Sequence, residues 1–252
     1  MKRPLFYIGA TSFSIAMLLS GCGSRTSPII DKQVAEVGSP AVQQVLATSV
    51  YKRMEIISSP EGAKQLLMEG NQRFTSDKPL SKDLSFTRRS ELMKNGQHPF
   101  AVIVSCSDSR VPPELLFDQA LGDLFVVRVA GNVVTPVEMG SIEYAVEHLK
   151  VPLVVVLGHE ECGAVTAAVQ GGETHGSIAA IIEKIKPAVN EARATKASGK
   201  DLIEKSADLN IKNALIDIAQ SPIIKEGVAT KQVRVIGAKY DLDEGVLKLM
   251  ND

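Results

Sequence analysis

Four short apolar runs, "FAVIVSC", "LFVVRVAG", "LVVVLGH" and "VRVIGAKY", constrain the fold of this 252-residue chain more than any other feature. Each is a continuous Val, Ile and Leu stretch without polar alternation, bounded by Gly, Pro or polar loops, and this predicts strands buried on both faces. Segments with helical spacing lie between them: "TPVEMGSIEYAVEHLK", "CGAVTAAVQ", "GSIAAIIEKIKPAVNEARA" and "DLIEKSADLNIKNALIDIAQ". Strands alternating with helices predict an α/β fold with a mostly parallel central sheet flanked by helices. Ligands in such sheets sit at the carboxyl ends of the strands, so residues that close the runs are the first candidates for chemistry.

The amino-terminal part reads differently. "MKRPLFYIGATSFSIAMLLSGC" has a basic start in Lys2 and Arg3 and an apolar stretch too short and interrupted to span a bilayer, so residues 1–21 are read as a signal peptide. The ending "LLSGC" resembles the lipobox of bacterial lipoproteins, which implies cleavage before Cys22, lipid on that cysteine and a periplasm-facing protein anchored to a membrane of the cell envelope, with the outer membrane expected because Gly23 follows. Residues 22–57 are read as a tether with a helical pattern from Pro40 to Ile57, an N-terminal helical extension, and residues 58–252 as the catalytic domain. The domain opens on "SSPEGAKQLLMEGNQRF", with a capping serine, Pro60 at the first helical position and Leu66, Leu67 and Phe74 on one face. A net charge of -1 with both signs mixed along the chain excludes the basic footprint of a nucleic-acid binder.

Cys106 closes the first run, and "GHEEC", carrying His159 and Cys162, closes the third, so the sheet rule brings all three to one edge. Three readings compete. Exported cysteines are usually paired, but a disulfide has no use for the histidine. A nucleophilic cysteine with His159 as base leaves the other cysteine unexplained. Zinc held by Cys106, His159 and Cys162 uses all three, and three protein ligands leave one position for water, the catalytic pattern. A helix beginning near Gly163 would favour the thiolate of Cys162. The combination of "H-x-x-C" with "C-x-D-x-R" at the same edge favours the metal.

Around these residues, "CSDSRVPPELLF", "RVAGNVV", "IEYAVEHLKVPLVVVLGHEECGAV" and the earlier "GNQRF" resemble a β-class carbonic anhydrase of the plant-like branch, from about Ser58 to the C-terminus. The resemblance implies one Zn2+ per chain on Cys106, His159 and Cys162, a catalytic pair in Asp108 and Arg110, and reversible hydration of carbon dioxide to bicarbonate and a proton through zinc-bound hydroxide. In that chemistry Asp108 accepts a hydrogen bond from the hydroxide, and Arg110 holds the carboxylate with a bidentate fork. Without that restraint Asp108 becomes a fourth ligand and closes the site. Two thiolates cancel the metal's formal charge, so activity is expected to rise toward alkaline pH.

The resemblance also places Gln97, Phe125, Tyr144 and Gly163 around the substrate, some of them contributed by a neighbouring subunit, and so implies a homodimer or higher homo-oligomer. The chain has no tryptophan, whereas a bicarbonate-regulated branch of the family uses one; Ala130 replaces a bulkier apolar residue of plant members. Of the other histidines, His98 precedes Pro99, His148 lies on a helix, and His175 in "GGETHGS" is the candidate proton relay. Two alternatives remain: a hydrolase of carbonyl sulfide or carbon disulfide, and a non-catalytic zinc- or bicarbonate-binding lipoprotein.

Overall fold

The predicted strands all form, and their order explains where a site must lie. A computed structural model describes residues 50–250. β1 (Ala101–Ser105), β2 (Leu124–Arg128), β3 (Leu153–His159) and β4 (Arg234–Tyr240) are parallel neighbours in the order β2-β1-β3-β4, and β5 (Leu247–Met250) adds an antiparallel edge. The chain leaves β1 toward one side of the sheet and leaves β3 toward the other. The crevice between the carboxyl ends of β1 and β3 is therefore the switch point at which open α/β sheets bind ligands.

Alternation along the central strands divides the core into two layers. Ala101 and Ile103 of β1 and Leu153, Val155 and Leu157 of β3 face α1 (Pro60–Thr75), with Ala63 and Leu67 packed against them. Val102, Val104, Val154 and Val156 face the other side, against Ile142 of α4 (Pro136–Glu147), Ile211 and Ile218 of α7 (Gly199–Ile218) and Ile224 of α8 (Pro222–Ala229). Each Val, Leu and Ile among these side chains, when removed wholly from water, contributes about 1.5–3 kcal/mol relative to exposure. α1 begins as the sequence predicts: the Ser59 hydroxyl accepts the Gly62 N–H at 3.1 Å and Pro60 takes the first turn. The remaining helices are α2 (Phe86–Asn95), a single turn α3 (Pro113–Leu116), α5 (Gly163–Gln170) and α6 (Ile178–Ala194).

Two expectations need correction. β1 and β3 are buried along their whole length, but β2 is only half-buried, because it is the sheet's edge and has a single strand neighbour. An apolar run does not distinguish an edge strand from a central one. The segment 50–57 is also neither helical nor detached from the domain. Tyr51 donates its N–H to the Ser81 carbonyl at 2.7 Å, and Arg53 pairs with the fully buried Asp123 at 3.0 Å while lying over the Phe100 ring. The signal peptide, Cys22 and the tether up to residue 49 lie outside the described residues. Among the described residues no helix is long and apolar enough to cross a membrane.

Candidate metal centre

Cys106 directly follows β1, His159 ends β3, and Cys162 is the N-cap of α5, so three donors come from two adjacent strand ends and the helix mouth beyond them. All three side chains are buried, and their donor atoms lie within 4.8 Å of one another. The two sulfurs stand 4.0 Å apart and both thiols are free. A disulfide needs about 2.05 Å, whereas two sulfurs about 2.3 Å from one tetrahedral zinc lie about 3.8 Å from each other.

The imidazole is prepared in the same sense. Its Nδ1 is 2.8 Å from the Glu160 carbonyl, an acceptor, so Nδ1 carries the proton and donates it there. Nε2 is left with a bare lone pair, buried and without a hydrogen-bond partner. A buried polar atom left this way is costly unless something else occupies its lone pair. A metal held by the two sulfurs and Nε2 fits the residues present.

The surroundings favour deprotonation of one thiol. Hydrogen bonding from Cys162 holds the Cys106 thiol well below its ordinary value against burial, with help from the Gly131 N–H, which reaches Cys106 Sγ at 3.3 Å. The second proton is correspondingly hard to remove: hydrogen bonding to Cys106, then burial, pushes the Cys162 thiol up, opposed by the N–H groups of Val165 and Ala164 at the start of α5. A divalent cation between the sulfurs removes this conflict, because it stabilises both thiolates.

Beside the donors, Arg110 grips Asp108 as the sequence implies. Nε donates to Oδ1 at 3.0 Å and Nη2 to Oδ2 at 2.8 Å, and the Arg110 backbone N–H adds a third bond at 2.9 Å. These bonds from Arg110 hold the Asp108 carboxyl down to about 2. Both carboxylate oxygens are thus engaged by the guanidinium, in the open arrangement.

Gly163 opens α5 next to Cys162, and a Cβ placed there would meet nothing within 4 Å. Gln97, Phe125 and Tyr144 do not join the trio within one chain. Gln97 precedes β1 and Cys106 follows it, so the whole strand, roughly 16 Å long at about 3.3 Å per residue, lies between them. Phe125 pairs with Val102 near the start of β2, and its ring stands 6.3 Å from that of Tyr144, which also contacts His148 at 5.1 Å. His98 and His175 are both exposed, the latter in the loop between α5 and α6.

The structure adds residues that the sequence reading missed. Arg128, at the end of β2, donates to the Cys106 carbonyl at 3.1 Å and to the Asp108 carbonyl at 2.6 Å, fixing the loop that carries both. The strand-end rule that selected Cys106 also marks Arg128. Asn210 of α7 donates to the Gly131 carbonyl at 2.7 Å, and nothing in the sequence announces that contact.

Fold and site together define an α/β protein whose sheet carries a Cys-His-Cys donor set at its switch point. The family model described as carbonic anhydrase matches residues 101–247. Carbonic anhydrase 2 of Mycobacterium tuberculosis is 41% identical over 192 residues, covering 75% of this chain and 91% of the relative. The carbonic anhydrase of Mycolicibacterium smegmatis is 40% identical over 196 residues, covering 76% and 94%. Among solved structures, the β-carbonic anhydrase CafA of Aspergillus fumigatus superposes with a TM-score of 0.60 at 30% identity, over 66% of this chain and 83% of that one. A tetrameric β-carbonic anhydrase of Sordaria macrospora also gives 0.60, at 26% identity over 76% and 98%. The chain belongs to the β-class carbonic anhydrases and is an enzyme of that family.

Proposed function

We propose that the chain hydrates carbon dioxide reversibly to bicarbonate and a proton, with one zinc ion held by Cys106, His159 and Cys162. The observation that carries this is the donor set itself: two free sulfurs at zinc-compatible spacing and an imidazole nitrogen with no other partner. When bound, zinc supplies the Lewis acidity that lets water serve as a nucleophile near neutral pH.

The protein's own groups then orient the reactants. Asp108, ionised at any pH above about 2, is a pure acceptor and takes a hydrogen bond from the attacking oxygen, which turns that oxygen's lone pair toward the substrate carbon. Arg110 keeps Asp108 in this role by occupying both carboxylate oxygens, so the carboxylate does not swing onto the metal. The open space above Gly163 gives a small linear substrate room beside Cys162.

A second copy of the chain completes the pocket in this reading, supplying Gln97, Phe125 and Tyr144. The half-buried edge strand β2 and the partly exposed Phe125 and Tyr144 support such an interface. We also propose attachment to a cell-envelope membrane through lipid on Cys22, on the strength of the "LLSGC" ending; the mass of the mature N-terminal peptide tests it.

The decisive experiment is stopped-flow hydration of carbon dioxide by the full chain, paired with metal analysis. One zinc per chain, with turnover lost on chelation and restored by zinc, is the expected result. Turnover without metal, or bound zinc without turnover, would overturn the proposal.

A further inference from the structure

The turn between His159 and Cys162 is held in a conformation that its sequence does not favour. Glu161 has φ of 49°, in the left-handed region that non-glycine residues rarely adopt. Its position matters, because the Glu160–Glu161 step sets the distance from the imidazole to the second sulfur. Something outside the turn must hold the Glu161 peptide in place.

That support comes from α7. Glu204 Oε1 accepts the Glu161 N–H at 3.1 Å, and Glu204 Oε2 pairs with Lys239 Nζ at 2.7 Å. Lys239 lies on β4 opposite Gly158, one residue before His159, and also pairs with Asp208 at 2.8 Å. Burial opposes the Lys239 charge, but Asp208 and Glu204 more than offset it and raise its pKa. Glu204 is thus a half-buried, ion-paired acceptor, less free to move than a solvated surface carboxylate. One turn earlier on α7, Lys200 pairs with the Glu161 carboxylate at 2.9 Å, and the Glu161 carbonyl faces Arg110 Nη2 at 3.5 Å. The Glu161 backbone is gripped at its N–H by Glu204 and touches the Asp108–Arg110 pair at its carbonyl.

We infer that Glu204, anchored by Lys239, is a positioning residue for the metal centre: it holds the left-handed Glu161 peptide and so fixes the spacing of His159 and Cys162. The inference rests on the zinc reading above. Groups that orient metal ligands from outside the coordination shell, when lost, typically weaken metal affinity or activity 10–100-fold.

The test is zinc affinity of the metal-stripped full chain, measured by competition with a chromophoric chelator. Glu204→Ala should weaken zinc about 10–100-fold. In a Glu161→Gly background, where glycine takes the left-handed conformation unaided, the same substitution should cost about threefold or less. An equal loss in both backgrounds would mean that Glu204 merely ties α7 to β4, and would overturn the inference; so would unchanged affinity in the Glu204→Ala protein. If Glu204→Ala does not fold, Glu204→Asp carries the same comparison, since it keeps a charge near Lys239 but falls short of the Glu161 N–H. A wild-type chain that binds no zinc would instead sink the zinc reading itself.

Discussion

Replacing Gly131 with alanine tests how the strand-end loop shapes the site. Gly131 has φ of 72°, its N–H points at Cys106 Sγ, and its carbonyl accepts Asn210. A Cβ there would stand 2.7 Å from Ile185 Cδ1 and 3.2 Å from Ala164 Cβ, and Ile185 is wholly buried. Two costs add. The left-handed backbone costs a non-glycine residue about 1–2 kcal/mol. Pushing a packed isoleucine aside costs about 1–3 kcal/mol, at the low end here because only the tip of the side chain must give. The sum is about 2–4 kcal/mol, a fall in Tm on the order of 10 °C for a domain of this size. Urea unfolding of Gly131→Ala against wild type should show that loss with an unchanged m-value, together with weaker zinc retention as the N–H leaves Cys106. A loss below about 0.5 kcal/mol would refute the packing argument, since it would be no larger than that of an ordinary surface substitution.

Three further outcomes follow from the same geometry. Gly163→Ala should leave stability unchanged, because its Cβ meets nothing, yet lower kcat/KM by filling the space beside Cys162; full activity would show that the substrate does not use that space. Arg110→Ala should retain zinc while turnover falls about 100-fold or more, as Asp108 is released from its fork; an active mutant removes Arg110 from the mechanism. Asp118 is buried, and although burial pushes its carboxyl up, Lys82 and Arg73 more than offset this and lower it, so its stabilisation is present above the ordinary aspartate pKa and fades as pH falls through the lowered one. Asp118→Asn should therefore cost about 2–3 kcal/mol in urea at pH 7, less than a wholly buried pair because both cations are partly solvated, and the gap to wild type should narrow toward pH 3; a gap constant with pH would contradict the ion-pair account.

What the sequence makes legible is what repeats a simple rule. Apolar runs mark β1 through β4, and the strand-end rule brings Cys106, His159 and Cys162 together before any coordinate is known. The Asp108–Arg110 pair lies two positions apart on the same loop, and the family resemblance marks it. Signals of the same kind were present for α8, where Ser221 caps the helix and Pro222 opens it, and for α2, where Ser85 accepts the Arg88 N–H. β5 is four residues long and offers too little alternation to read. The supports of the site escape for a different reason: Glu204, Asn210 and Lys239 lie on elements remote in sequence, and only packing of α7 across β3 and β4 brings them to the turn. The edge position of β2 is likewise a fact of topology, invisible in "LFVVR".

X-ray absorption at the zinc edge on the purified full chain reads the ligand set of the metal itself. Two sulfur scatterers at about 2.3 Å and one histidine nitrogen at about 2.0–2.1 Å, with a single light atom completing the shell, are the expected result. A different sulfur count, or alkylation mapping that finds Cys106 joined to Cys162, would contradict it.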